Sequence, residues 1–213
     1  MNHQPFRIEL RLSSPMVAPE HPIHLDGVLE ELLAAQSGYQ VERPLPLPLS
    51  TEQRDGEWVY QASAFQLVRH ARGIRTIVRR PEPEIDAVSA QQGLAKLPNS
   101  VTLGTGPNRA YVLSFPVQKV DRAIAYGIGD MTAVRSILED LKGLGAKRRL
   151  GYGEIERRLV EPCEPDECAW WDRAMPWSSS DEAQSIPMVQ TVRPPYWDRT
   201  NQRQAWLPLS LIG

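Results

Sequence analysis

The residues best suited to chemistry lie between 143 and 153, in the run Gly143-Leu144-Gly145-Ala146-Lys147-Arg148-Arg149-Leu150-Gly151-Tyr152-Gly153. Four glycines let the backbone take positive φ and come close to a ligand. Consecutive exposed N–H groups in such a turn can form an anion-binding nest, and Lys147, Arg148 and Arg149 add charge. The run does not end in Gly-Lys-Ser/Thr, so it is not a nucleotide P-loop. It follows a helical pattern and enters a strand, the reverse of a dinucleotide fingerprint. The alternative is a helix C-cap followed by a mobile turn with solvated cations.

A second cluster is Arg69, Arg72, Arg75, Arg79 and Arg80, with His70 and no acid from 69 to 80. Five cations this close repel one another, and a polyanion is a natural counter-charge. A solvated edge hairpin guarded by charge is the competing reading. His24 and Asp26 could orient a general base. A surface histidine beside a helix-capping aspartate is the simpler reading of the pair. His3, His21 and His70 make no metal-ligand spacing, and Cys163 with Cys168 lacks the two further ligands of a zinc site. No metal or cofactor is expected.

The elements that must position these groups follow from periodicity. Phe6 to Leu12 alternates apolar and charged residues, a half-buried strand with Phe6, Ile8, Leu10 and Leu12 inward. Leu25, Val28, Leu29, Leu32 and Leu33 share a helical face, with Asp26 near the start. Pro44, Pro46 and Pro48 mark an extended connector. Trp58–Val68 and Ile74–Val78 read as strands, the latter the return arm of a hairpin through Gly73. Arg109–Val120 and Ala123–Ile128 are two more. Asp130 caps a helix carrying Val134, Ile137, Leu138 and Leu141, stopped by Gly143 or Gly145. A last strand covers Glu154–Val160. This β-α-β-β-α-β order is that of a ferredoxin-like, RRM-like α+β sheet, which leaves one face open for a ligand.

The chain has 213 residues, with 41% hydrophobic and 23% charged residues, so it can bury a core. Its net charge of −2 excludes a globally basic nucleic-acid binder but not one with a local basic face. Twenty of its 24 cations are arginine, whose planar fork grips phosphate bidentately. No secretory signal opens the chain and no apolar run is long enough to span a bilayer, which points to a cytoplasmic protein with reduced thiols. Residues 161–213 hold 7 of the 19 prolines and 5 of the 6 tryptophans, and carry 4 arginines against 8 acids. The expected division is therefore a domain at 1–160 with an inserted basic hairpin, and an extended Trp/Pro-rich arm at 161–213. Trp170, Trp171, Trp177, Trp197 and Trp206 would anchor that arm, against a partner or against its own domain.

The alternating first strand, the helix start Pro22-Ile23-His24-Leu25-Asp26-Gly27-Val28-Leu29 and the loop 143–153 together resemble the RAMP superfamily of CRISPR proteins. Within it, the chain is similar to the Csf-type subunit of type IV CRISPR effector complexes. The resemblance implies a non-catalytic RNA-binding subunit that holds the 5′ handle of the guide RNA. Gly143, Gly145, Lys147, Arg148, Arg149, Gly151, Tyr152 and Gly153 would grip its phosphates. Arg69, Arg72, Arg75, Arg79 and Arg80 would press on RNA or a neighbour, and His24 would be a further RNA-binding residue. It also implies partners: the guide RNA, a repeated backbone subunit, a large subunit, and target DNA through the complex. Some relatives cleave the guide precursor, so a metal-independent endoribonuclease using His24 or His70 is the alternative.

Overall fold

The computed structural model describes residues 3–17, 19–79, 110–178 and 184–212. Its strands are β1 (Gln4–Leu12), β2 (Thr51–Arg54), β3 (Glu57–Tyr60), β4 (Gln66–Arg79), β5 (Tyr111–Gly129), β6 (Ile155–Pro162), β7 (Ser185–Thr191) and β8 (Gln202–Pro208). The α-helices are α1 (Leu25–Gln36) and α2 (Met131–Leu138). The main sheet has the order β4-β5-β1-β6, with β1 antiparallel to both β5 and β6. Taken with α1 after β1 and α2 after β5, this α+β arrangement is compatible with a ferredoxin-like fold.

The chain divides into two compact units, residues 1–71 with 118–213, and residues 72–117. In the first, alternation along β1 buries Phe6, Ile8 and Leu10 completely. They join Leu25 and Leu29 of α1 and Val134, Ile137 and Leu138 of α2 in one core. The opposite face of β1 is crossed by ion pairs: Arg7 reaches Glu161 at 3.0 Å and Glu9 at 2.7 Å, and Arg11 reaches Glu9 at 3.3 Å. The bond from Arg7 holds the Glu9 carboxyl below the usual carboxylate range. That face, expected to be open for a ligand, is thus partly self-neutralised.

Asp130 caps α2 as its position foretold, accepting from the N–H groups of Thr132 and Ala133 at 3.1 Å each. Three expectations need correction. Gly73 makes no turn: residues 66–79 form one continuous strand, and the return arm is β5. In the second unit the two strands meet through the hydroxyls of Thr76 and Ser114, 2.9 Å apart. The two strands expected over 109–128 are one, running Tyr111–Gly129. The strand expected over Trp58–Val68 is two, β3 ending at Tyr60 and β4 beginning at Gln66. The first helix keeps its expected face: Leu25 and Leu29 are in the core, and Val28, Leu32 and Leu33 pack against it.

Residues after 160 supply a second, smaller core. Ala174, Met175, Val192, Ala205 and Leu207 pack on Val59, with Trp170 and Trp177 against them. β7 and β8 form a hairpin paired from Ser185–Pro208 to Thr191–Gln202. Trp171 and Trp197 are exposed in this chain.

Candidate nucleic-acid interface

The glycine-rich loop is closed at its base by the fold around it. Leu144 N–H donates to the Gly153 carbonyl (2.8 Å), Gly153 N–H to Pro15 (2.9 Å) and Ala146 N–H to Val17 (2.9 Å). Leu144 is buried between these bonds. Two positions require glycine. Gly153 has φ +67, and a Cβ there would lie 1.9 Å from the Leu144 carbonyl oxygen. Gly145 has φ +87, and its Cβ would lie 2.7 Å from the Val17 oxygen. These glycines let the loop base close on itself.

The tip is a single 3-10 turn, Arg148–Leu150, entered through Lys147 at φ 56 and left through Gly151 at φ 80. The Leu150 and Gly151 N–H groups donate to Lys147 and Arg148 within the turn. Five loop amides are therefore spent on loop geometry, so the nest expected from the glycines is much reduced. The exposed side chains of Lys147, Arg148 and Arg149 bring the loop's positive charge. No carboxylate pairs with Arg148 or Arg149 among the described residues. Tyr152 is half-buried behind them.

The arginine cluster is distributed differently. Arg69 belongs to the first unit and donates from Nε to Gln118 Oε1 at 2.9 Å. His70 there faces Asp121 at 3.9 Å, an acid supplied by β5 that the 69–80 run lacks. Arg72, Arg75 and Arg79 belong to the second unit and are exposed. Strand alternation puts Arg75 and Arg79 on one face and Arg72 on the other, with Ile74 and Val78. Arg80 lies outside the described residues.

His24 and Asp26 depart furthest from expectation. Neither is a surface residue: His24 is 4% exposed and Asp26 fully buried. His24 occupies the N-cap position of α1 without a side-chain cap bond, and Asp26 does not cap the helix. Asp26 instead accepts from Arg173 Nη2 at 3.0 Å, Tyr196 Oη at 2.9 Å and the Gly27 N–H at 2.9 Å. Burial pushes its carboxyl up, while Arg173 and the other two donors pull it back. The His24 ring stacks on Tyr196, 4.7 Å between centroids and 6° from parallel. Neither ring nitrogen has a hydrogen-bond partner among the described residues. Burial, and then the charge of Arg173, hold its pKa well below the ordinary imidazole value, so the ring is neutral. Arg173, in a segment where only the tryptophans stood out, escaped sequence reasoning altogether.

A buried neutral histidine makes stability depend on pH. The unfolded chain takes up a proton near pH 6.5, and the folded chain only well below it. The unfolded state then binds more protons, so stability is full above about 6.5 and falls as pH drops, by up to about 1.4 kcal/mol per pH unit. Denaturant midpoints at pH 7.5, 6.5 and 5.5 should show this loss, and His24→Phe, which keeps the stack, should flatten it. An unflattened slope in that variant would assign the loss to other groups.

A cavity of about 360 Å³ lies between the start of α1 and the glycine-rich loop. It brings His24 together with Gly143, Gly145 and Arg148, which follow it by more than a hundred positions in sequence, and with Arg43, Tyr196 and Trp197. Arg43 donates to both oxygens of Glu30 and to Glu31 at 3.2 Å. Its guanidinium sits 5.8 Å from the centre of the Trp197 ring.

Residues 4–208 match the family described as CRISPR type IV associated protein Csf3. The chain belongs to this family. The match spans β1 through β8, so the residues after 160 are as much a part of the Csf3 pattern as the sheet. No curated protein matches the chain. Among the described residues, the Csf3-family chain has no group of three or more His, Cys, Asp or Glu placed to hold a metal ion, and no helix is long and apolar enough to cross a membrane.

Proposed function

We propose that this Csf3-family protein is a non-catalytic RNA-binding subunit of a type IV CRISPR effector ribonucleoprotein, holding the 5′ handle of the guide RNA. The observation that carries this reading is the loop 143–153: a glycine-closed base presenting Arg148 and Arg149, exposed and without a carboxylate partner among the described residues. In a RAMP-type domain this loop would track phosphates while base pairing reads the target. Lys147, Tyr152 and the glycines shape the same surface. The exposed Arg72, Arg75 and Arg79 would serve RNA or a neighbouring subunit. A repeated backbone subunit and a large subunit would complete the particle, and target DNA would be met through it. A ribonuclease working through His24 gains no support, because that ring is buried.

The test is the salt dependence of binding to a single-stranded RNA copied from the guide handle. Each phosphate contact to single-stranded nucleic acid contributes about 0.7 to the slope of log K against log salt. Arg148→Ala with Arg149→Ala should weaken binding and lower the slope by about 1.4. An unchanged slope would remove the loop from the interface.

A further inference from the structure

We propose that the cavity between α1 and the glycine-rich loop receives one unstacked nucleobase of single-stranded RNA, stacked on Trp197 with its phosphate on Arg148. This rests on the RNA-binding reading above but names a site and residues outside it. Trp197 is 69% exposed, unusual for the largest side chain in a protein with a core to fill. Its ring meets the guanidinium of Arg43 on one side. Arg43 is itself occupied by Glu30 and Glu31, so it holds the tryptophan and leaves the phosphate to another cation. Arg148 lines the same cavity.

Size and shape agree. At about 360 Å³ the cavity is at the small end of ligand sites, which run from roughly 300 to 1,000 Å³. His24, Tyr196 and the backbone at Gly143 and Gly145 also line it. The arrangement is an aromatic platform beside a single unpaired cation and an apolar slot, the combination used to hold splayed-out bases. Neutral His24 adds no charge to it.

The experiment uses the full chain and a single-stranded eight-nucleotide RNA copied from the 5′ handle, intact or with one abasic position, scanned along it. Trp197→Ala should weaken the intact RNA roughly 5- to 100-fold, and Trp197→Phe should restore most of the loss. One abasic position should cost the wild-type chain a similar factor, and on that RNA Trp197→Ala should cost nothing more. Arg148→Ala should still weaken it. The melting temperature of Trp197→Ala should match wild type, because the side chain is exposed. The base pocket is overturned if Trp197→Ala binds intact RNA as wild type does, as when the tryptophan instead serves a protein partner. Equal losses on every abasic RNA also overturn it. If Arg148→Ala with Arg149→Ala lowers the salt slope while Trp197→Ala changes nothing, only the pocket falls. If the wild-type chain binds no RNA, the wider reading falls with it.

Discussion

Arg173→Ala is expected to leave little folded protein at 37 °C. The side chain is fully buried. One guanidinium nitrogen donates to the Tyr60 and Ala62 carbonyls at 2.7 and 2.9 Å. The other donates to Val192 O at 2.6 Å, Tyr196 Oη at 2.9 Å and Asp26 Oδ2 at 3.0 Å. These partners come from the end of β3 and the segment after it, from α1 and from the residues after β7. Truncation strands a buried carboxylate and takes a donor from three carbonyls, of which Tyr60 O keeps the Ala62 N–H. Breaking a buried ion pair from one side costs about 3–5 kcal/mol, against a typical total stability of about 5–15. Lost hydrogen bonds add to that. Thermal denaturation of the purified variant measures it. Asp26→Leu combined with Arg173→Met should be less damaging than the sum of the single changes, since no charge is then left unpaired. Strict additivity would mean that the pair is not coupled as the geometry states.

The importance of Arg173 also shows where sequence reading stops. β1 was legible because one face is apolar and the other is bridged by Arg7, Glu9 and Arg11, which enforces period two. The α2 cap was legible because capping is local: Asp130 needs only the next three residues. The loop was legible because Gly145 and Gly153 are demanded by backbone shape. The hairpin β2–β3 carried a signal that went unused, Asp55-Gly56, both at positive φ (53 and 82), as a two-residue turn requires. β4 was split at Gly73 because glycine resembles a turn. Its Cβ would meet nothing nearer than Val117 Cγ2 at 3.8 Å, so the residue is simply tolerated there.

The His24–Asp26–Tyr196–Arg173 group could not have been read locally. Asp26 and Tyr196 alone are 170 positions apart, and each member by itself resembles a surface residue. Their burial is set by long-range packing of the residues after 160 against α1. Sequence composition marked that segment as distinctive for its tryptophans. It also carries the fully buried Arg173, which composition did not mark, while Trp197 remains exposed. The same packing builds the cavity, because it brings Tyr196 and Trp197 against the loop. Stability and the candidate site therefore share a cause.

Gly153→Ala should separate charge from geometry in the loop. The variant keeps Lys147, Arg148 and Arg149. It puts a Cβ 1.9 Å from the Leu144 oxygen at a φ of +67, so the base of the loop must move. A non-glycine residue in a disfavoured backbone region costs about 1–3 kcal/mol, and the clash adds to it. The bonds at risk are Leu144 N–H to Gly153 O and Gly153 N–H to Pro15 O. The loss should be felt first as faster hydrogen exchange at Leu144 and Gly153, with β1 and α2 still protected. RNA affinity should fall nearly as far as in the double arginine variant, since the cations are no longer held at a fixed spacing. Gly151→Asn is the control. Its φ is +80, but nothing lies within 4 Å of its Cβ, and asparagine tolerates the left-handed region. That variant should bind RNA close to wild type. If Gly153→Ala also binds as wild type while its loop amides exchange freely, positive charge alone suffices and the glycine-closed geometry serves folding only. If both glycine variants lose binding, the tip itself must be able to close on its ligand, and Gly151 is where it bends.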